Sequence, residues 1–168
     1  MKYTAVVLLC CVLVGCSDTA SVAPGSCAEL FDGVRLTDLD GREARVSCQG
    51  HKVLIVNFWA PWCGPCKLEI PYLVEIAQQY ASQGVQVVGI SLDDTAVYLK
   101  AAVAGFKITY PVLTGSAEKV FARTGIDGIP ATLIIAADGR IDKVLVGFHT
   151  KEEVLAHVKK LLNAKEKP

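Results

Sequence analysis

Hydrophobic positions along this chain fall into runs of different period, and each period dictates a different element. Ten apolar residues run unbroken from Ala5 to Val14, followed by the small and polar stretch Ser17, Asp18, Thr19, Ala20, Ser21 and Pro24. Val34 to Leu39 and Arg42 to Ser47 flank Asp40-Gly41, a turn dipeptide that tolerates positive φ, so a hairpin is expected there. Val53 to Trp59 is nearly all apolar, β-branched or aromatic, as in a strand covered on both faces. After Pro61 the period changes. Cys66, Ile70, Leu73, Ala77 and Tyr80 mark one face of a helix running to about Ser82, and Pro71 inside it predicts a kink. Val85 to Leu92 reads as a second buried strand, and Asp93-Asp94-Thr95 offers caps for a helix through about Ala104. Tyr110 to Leu113 is extended, and Ser116 to Arg123 is a short helix capped by Ser116. Thr132 to Ala136 and Arg140 to Val146 form a hairpin about Asp138-Gly139, and Thr150 caps an amphipathic helix from Lys151 to Asn163. Strands alternating with helices make this an α/β domain.

At 168 residues, with 17 basic and 17 acidic side chains, the chain has room for one domain, and no basic excess exists to bind nucleic acid. Seven cysteines are the abnormal count. Lys2, the short apolar run and the small residues after it have the layout of an export signal, since a membrane-spanning helix needs ~20 apolar residues and a signal core only ~7–15. Leu13-Val14-Gly15-Cys16 resembles the lipobox of bacterial lipoproteins, which implies a signal at 1–15 and lipidation of Cys16. Residues 16–26 then form a flexible tether and 27–168 the domain. Export removes Cys10 and Cys11, lipidation consumes Cys16, and Cys27, Cys48, Cys63 and Cys66 remain.

Cys63 and Cys66 stand two residues apart where the strand gives way to the helix, close enough to close a small disulfide ring. Unpaired N–H groups and the positive end of the helix dipole stabilise a thiolate in the first turn, and such placement lowers a cysteine pKa from ~8.5 to ~3.5–7.5. Cys63 is therefore the attacking thiolate, and Cys66, one turn further in on the apolar face, resolves the mixed disulfide. A zinc half-site and a purely structural bridge are the competing readings. Zinc needs four ligands, and His51, His149 and His157 lack the spacing to supply the rest, so no metal or other cofactor is expected.

Phe58-Trp59-Ala60-Pro61-Trp62-Cys63-Gly64-Pro65-Cys66 resembles the active site of the thioredoxin superfamily, and Cys66-Lys67-Leu68-Glu69-Ile70-Pro71 is similar to its membrane-tethered TlpA/ResA-like branch. The resemblance covers about residues 30 to 163. It implies a thioredoxin-like fold: a central mixed sheet flanked by helices, with an N-terminal β-hairpin and an extra strand-helix insertion at Val85 to Leu113. Asn57 stands where thioredoxin proper has a buried aspartate. Gly128-Ile129-Pro130 matches the family's cis-proline loop, implying that the Ile129 backbone pairs with substrate beside Cys63. Trp59 and Trp62 are expected to pack around the site, and Trp62 is also a candidate substrate contact. Gly64 and Pro65 tune the potential of the ring. Glu69 matches an acidic residue of the branch, where a partly buried carboxylate would exchange a proton with the resolving thiol.

The resemblance implies an envelope thiol-disulfide oxidoreductase. It would be lipid-anchored, facing the periplasm and monomeric, reducing protein clients such as apocytochrome c and being re-reduced by a membrane thiol carrier. A copper-binding assembly factor of the Sco type is the alternative, with His149 as third ligand, although that family separates its cysteines by three residues. Cys27 and Cys48 are expected to bond in an oxidising compartment, as a structural bridge or as a second redox relay. Symmetric pairing about Asp40-Gly41 puts Cys48 opposite Gly33, so a bond to Cys27 requires the preceding chain to fold back.

Overall fold

The computed structural model describes residues 25–93 and 95–164, so the leader at 1–15, Cys10, Cys11, Cys16 and the tether up to residue 24 lie outside them. The first element, α1 (Cys27–Phe31), has no counterpart in the sequence reading; Ser26 begins it by accepting from the Glu29 N–H at 3.3 Å. Ser26 also bridges to Arg140, and the Cys27 N–H donates to the Gly139 carbonyl at 2.8 Å, so the packed domain takes in Ser26, a residue whose small polar neighbours assign it to the tether. This short helix is the fold-back that the Cys27 to Cys48 pairing required.

Strands β1 (Leu36–Asp38) and β2 (Glu43–Ala44) form the N-terminal hairpin, shorter than the sequence suggests. The Asp38 carboxylate accepts from the N–H groups of Asp40 and Arg42, which tightens the turn, and residues beyond Ala44 leave the ladder. Strand β3 (Val53–Trp59) is buried at every position. Its alternation is hidden in sequence because both faces are covered. Val53, Ile55 and Trp59 face one core, and Leu54, Val56 and Phe58 face the other.

Helix α2 (Gly64–Tyr80) continues through Pro71 and passes into a 3₁₀ turn at Ala81–Gln83. It buries Ile70, Leu73 and Ile76 against the first core. Strand β4 (Val85–Ser91) lies parallel to β3, and helix α3 (Ala96–Gly105) follows. Of the expected caps of α3, Asp94 lies outside the described residues; Thr95 stands at the N-cap without a side-chain bond, and the Asp93 carboxylate accepts from the Thr95 N–H at 2.9 Å. Strand β5 (Val112–Gly115) begins two residues later than its apolar run suggests, since pairing with β1 on one edge and β4 on the other draws Thr114 and Gly115 into the sheet. A side chain at Gly115 would put its Cβ 2.4 Å from the Arg35 carbonyl, so only glycine lets these strands approach. Helix α4 (Glu118–Thr124) starts from Ala117, which makes no side-chain cap, and not from Ser116.

Strands β6 (Ala131–Ala136) and β7 (Ile141–Val146) form the last hairpin. Helix α5 (Lys151–Asn163) opens with the capping box of Thr150 and Glu153. The sheet is mixed, in the order β2-β1-β5-β4-β3-β6-β7, with α2, α3 and α5 against one face and α1 and α4 against the other. This is a thioredoxin-like α/β fold. No helix among the described residues is long and apolar enough to cross a membrane.

Candidate active site

The parallel pair β3 and β4 bring Trp59 and Ser91 to the same end of the sheet, where the Leu92 N–H donates to the Trp59 carbonyl at 2.9 Å. Four residues past Trp59 the chain turns into α2, with Cys63 as its N-cap. Cys63 and Cys66 are joined as a disulfide with Cα atoms 5.3 Å apart. The Cys66 N–H donates to Cys63 Sγ at 3.2 Å, one of the first-turn donors that favour a thiolate once the bridge opens. Gly64 and Pro65 form the first turn, where a proline costs the helix no hydrogen bond. Cys66 is 1 % exposed and Cys63 5 %, whereas the neighbouring Trp62 is 63 % exposed. The pair is covered and an aromatic surface stands beside it.

Antiparallel register between β3 and β6 pairs Phe58 with Ala131, which sets Pro130 next along, level with Trp59. The Ile129–Pro130 bond is cis, and the Pro130 carbonyl accepts from the Gly147 N–H at 2.8 Å, tying the loop to the end of β7. Ile129 packs against both cores. Sheet register therefore brings Ile129 and Pro130 to the end of the domain that carries Cys63, across more than sixty residues of sequence.

Glu69 lies one helical turn beyond Cys66 and is 2 % exposed, more deeply buried than the sequence suggested. Its Oε1 accepts from the His149 N–H at 2.8 Å, and its Oε2 faces Asn57 Nδ2 at 3.4 Å. Burial pushes the Glu69 carboxyl above the ordinary range, while the His149 N–H, the neighbouring Tyr72 hydroxyl and the Asn57 amide hold it partly down. Tyr72 donates its hydroxyl to the His149 carbonyl, and its own pKa is raised by burial and by the Glu69 charge. Behind the site, Trp59 stacks edge-on to Phe106 and packs close to Gly89, where a Cβ would come within 3.1 Å of both the Trp59 indole and the Tyr110 ring.

The residue pattern does not point to Asn57, Tyr72 and the His149 backbone as partners of Glu69, nor to Thr132 as the partner of Asn57. Tyr72 was findable, because a residue three positions after Glu69 shares its helix face. His149 was not, since 80 residues separate it from Glu69.

The other pair, Cys27 and Cys48, is also bonded, with Cα atoms 5.7 Å apart. Cys27 is fully buried, and Cys48 lines an open cavity of about 810 Å³ bounded by α1 and residues 43–49. Opening this bond would leave a thiolate at Cys27 in an apolar core, which is costly. Geometry thus favours the structural reading over the relay. The His149 ring sits with Nδ1 3.5 Å from the Glu153 carboxylate, and among the described residues no three His, Cys, Asp or Glu side chains converge as metal ligands.

A family model described as Redoxin matches residues 23–162. A protein named thiol-disulfide oxidoreductase ResA from Geobacillus thermodenitrificans is 30% identical over 145 residues, spanning 86% of this chain and 82% of its own length. Among solved structures, a thiol:disulfide interchange protein of the thioredoxin family from Chlorobium tepidum TLS is 34% identical with a TM-score of 0.65, over 76% of this chain and 91% of that one. A second Chlorobium tepidum structure, described as a putative thiol:disulfide interchange protein DsbE, is 25% identical with a TM-score of 0.69, over 77% and 92% of the two chains.

Proposed function

We propose a direction and a setting for the chemistry of this chain, which belongs to the Redoxin family and is a thiol-disulfide oxidoreductase. It reduces disulfides of client proteins outside the cytoplasm, with a c-type cytochrome precursor as the model client, and a membrane thiol carrier re-reduces it. One observation carries the reading: the Cys63–Cys66 disulfide opens helix α2 at the same sheet end as the Ile129–Pro130 loop. In reduced protein the Cys63 thiolate attacks one client sulfur, forming a Cys63–client bond and expelling the other client sulfur as thiolate. Cys66 loses its proton to Glu69 and attacks Cys63. The Cys63–Cys66 bond forms, the client bond breaks, and the second client sulfur leaves reduced. Two electrons pass from the pair to the client, and the donor dithiol returns them with two protons.

The setting rests on the export signal and the Leu13-Val14-Gly15-Cys16 segment. The protein is then a lipid-anchored monomer on the outer side of a bacterial inner membrane or on the outer membrane. Ser17 after the lipidated cysteine favours the outer one.

The experiment is reduction of insulin and of an oxidised Cys-x-x-Cys-His peptide, together with the potential of the Cys63/Cys66 couple. Cys63→Ala should abolish both activities, and Cys66→Ser should accumulate mixed disulfides with clients. A potential near ~−270 mV suits a reductant, whereas one near ~−120 mV overturns the direction. Full activity of Cys63→Ala overturns the mechanism. Lipid labelling of the expressed chain that persists in Cys16→Ala overturns the anchor.

A further inference from the structure

Asn57 occupies the centre of β3 on the face covered by α2, and at 1 % exposure it is one of the few polar side chains in that core. Its amide nitrogen has two jobs, donating to Thr132 Oγ1 on the paired strand at 3.0 Å and facing Glu69 Oε2 at 3.4 Å. Its carbonyl oxygen, Oδ1, is buried and has no hydrogen-bond partner among the described residues. Buried polar atoms are rarely left unpaired, because each costs its full desolvation, so an orphan at a reacting centre marks a group poised for a partner that arrives later.

The donor inventory identifies that partner. With Glu69 ionised, both carboxylate oxygens face N–H donors, the His149 N–H at Oε1 and the Asn57 amide at Oε2. A proton arriving on Oε2 meets the Asn57 N–H group donor to donor. Turning the amide over removes the conflict: Oδ1 then accepts from the Glu69 acid, and its second lone pair accepts the Thr132 hydroxyl proton. Each orientation leaves one end of the amide unpaired, so the Glu69 proton decides between them. We propose that Asn57 is a positioning residue whose side-chain amide inverts with each proton that Glu69 takes from Cys66, presenting N–H to the carboxylate and C=O to the acid.

The inference rests on the reading of Glu69 as acceptor of the Cys66 proton and adds the element that registers it. The amide also links that proton to the substrate loop, because Thr132 is the second residue of β6, two residues after Pro130. The titratable groups around Glu69 are Cys66 and Tyr72 on α2, Tyr110 before β5 and His149 before α5, with Glu152 and Glu153 of α5 acting on Tyr72. None of these supplies a donor to Asn57 Oδ1.

The test uses the full domain in oxidised and reduced forms. The Glu69 carboxyl carbon and the Asn57 side-chain amide are followed by NMR across pH, alongside the pH profile of client reduction. In wild type the two Asn57 amide protons should shift with the same midpoint as the Glu69 carbon, and in Glu69→Gln they should be independent of pH. Asn57→Leu removes the donor to the charged form, so the Glu69 midpoint should rise by about one pH unit, a tenfold change in proton affinity, with the activity profile moving alongside. Asn57 amide signals unmoved through the Glu69 transition overturn the inversion, and the wild-type spectra decide this even where the leucine variant fails to fold. An unchanged Glu69 midpoint in folded Asn57→Leu overturns the positioning role. Neither result bears on whether Cys63 and Cys66 reduce clients, which the Cys63→Ala assay reads separately.

Discussion

Replacing both Cys27 and Cys48 with alanine removes a cross-link whose cysteines are 21 positions apart, and the cost follows from the chain that it closes. In the chain-entropy model a loop of that length destabilises the unfolded state by ~3.3 kcal/mol at 25 °C. The folded state loses little, because α1 is held independently. The Arg123 guanidinium donates to the carbonyls of Glu29, Leu30 and Asp32 at 2.7 to 3.0 Å, and Leu30 is buried at 1 % exposure. For a domain of roughly 140 residues the unfolding entropy near 60 °C converts that loss into about 10 °C of melting temperature. The assay is thermal unfolding by circular dichroism of Cys27→Ala/Cys48→Ala beside wild type, both oxidised, with urea melts to check that the slope is unchanged. Client reduction at 25 °C should persist, since Cys27 belongs to the core on the sheet face opposite the one packed against Cys63 and Cys66. A drop of less than ~3 °C would refute the entropic reasoning. Loss of activity in the folded variant would refute the structural assignment and restore the relay.

Glu69→Gln separates chemistry from stability. The folded pKa of Glu69 is raised, so its contribution to stability is present below the unfolded carboxylate value and is lost as pH rises through the folded value. At neutral pH the variant should therefore match or exceed wild type in urea midpoint and lose this part of the pH dependence, while the resolving step slows by ~10²-fold. A lower midpoint at pH 7 contradicts the sign. Trp62→Ala, at an exposed position, should change stability by less than ~0.5 kcal/mol. If Trp62 touches the client, KM for a protein client should rise about thirtyfold, equivalent to ~2 kcal/mol of lost contact, with reduction of a small-molecule disulfide unaffected. Equal losses on both substrates argue for a packing role instead.

Elements whose period is local were legible in the residue pattern alone. The nearly all-apolar β3, the spaced apolar face of α2, and α5 with its Thr150 cap appear where the sequence places them, because each depends on residues within one or two turns or one strand. The same holds for the cysteine pair, since two residues between Cys63 and Cys66 and a helix start suffice to make a reactive ring. Helix α1 and the extent of β5 escaped. Five residues held by a disulfide, a β-bridge and Arg123 have no period to read, and β5 is defined by neighbours from distant parts of the chain.

Sequence therefore determined the reaction class and the Cys63–Cys66 pair, which need only local spacing and a helix end. Tertiary structure decided the surroundings of Glu69. Glu69 is buried because α2 lies across β3, and its donors come from Asn57 and from His149, 12 and 80 positions away. A carboxylate's proton affinity depends on what surrounds it, and no spacing rule within the chain specifies surroundings assembled from a helix, a strand and a loop.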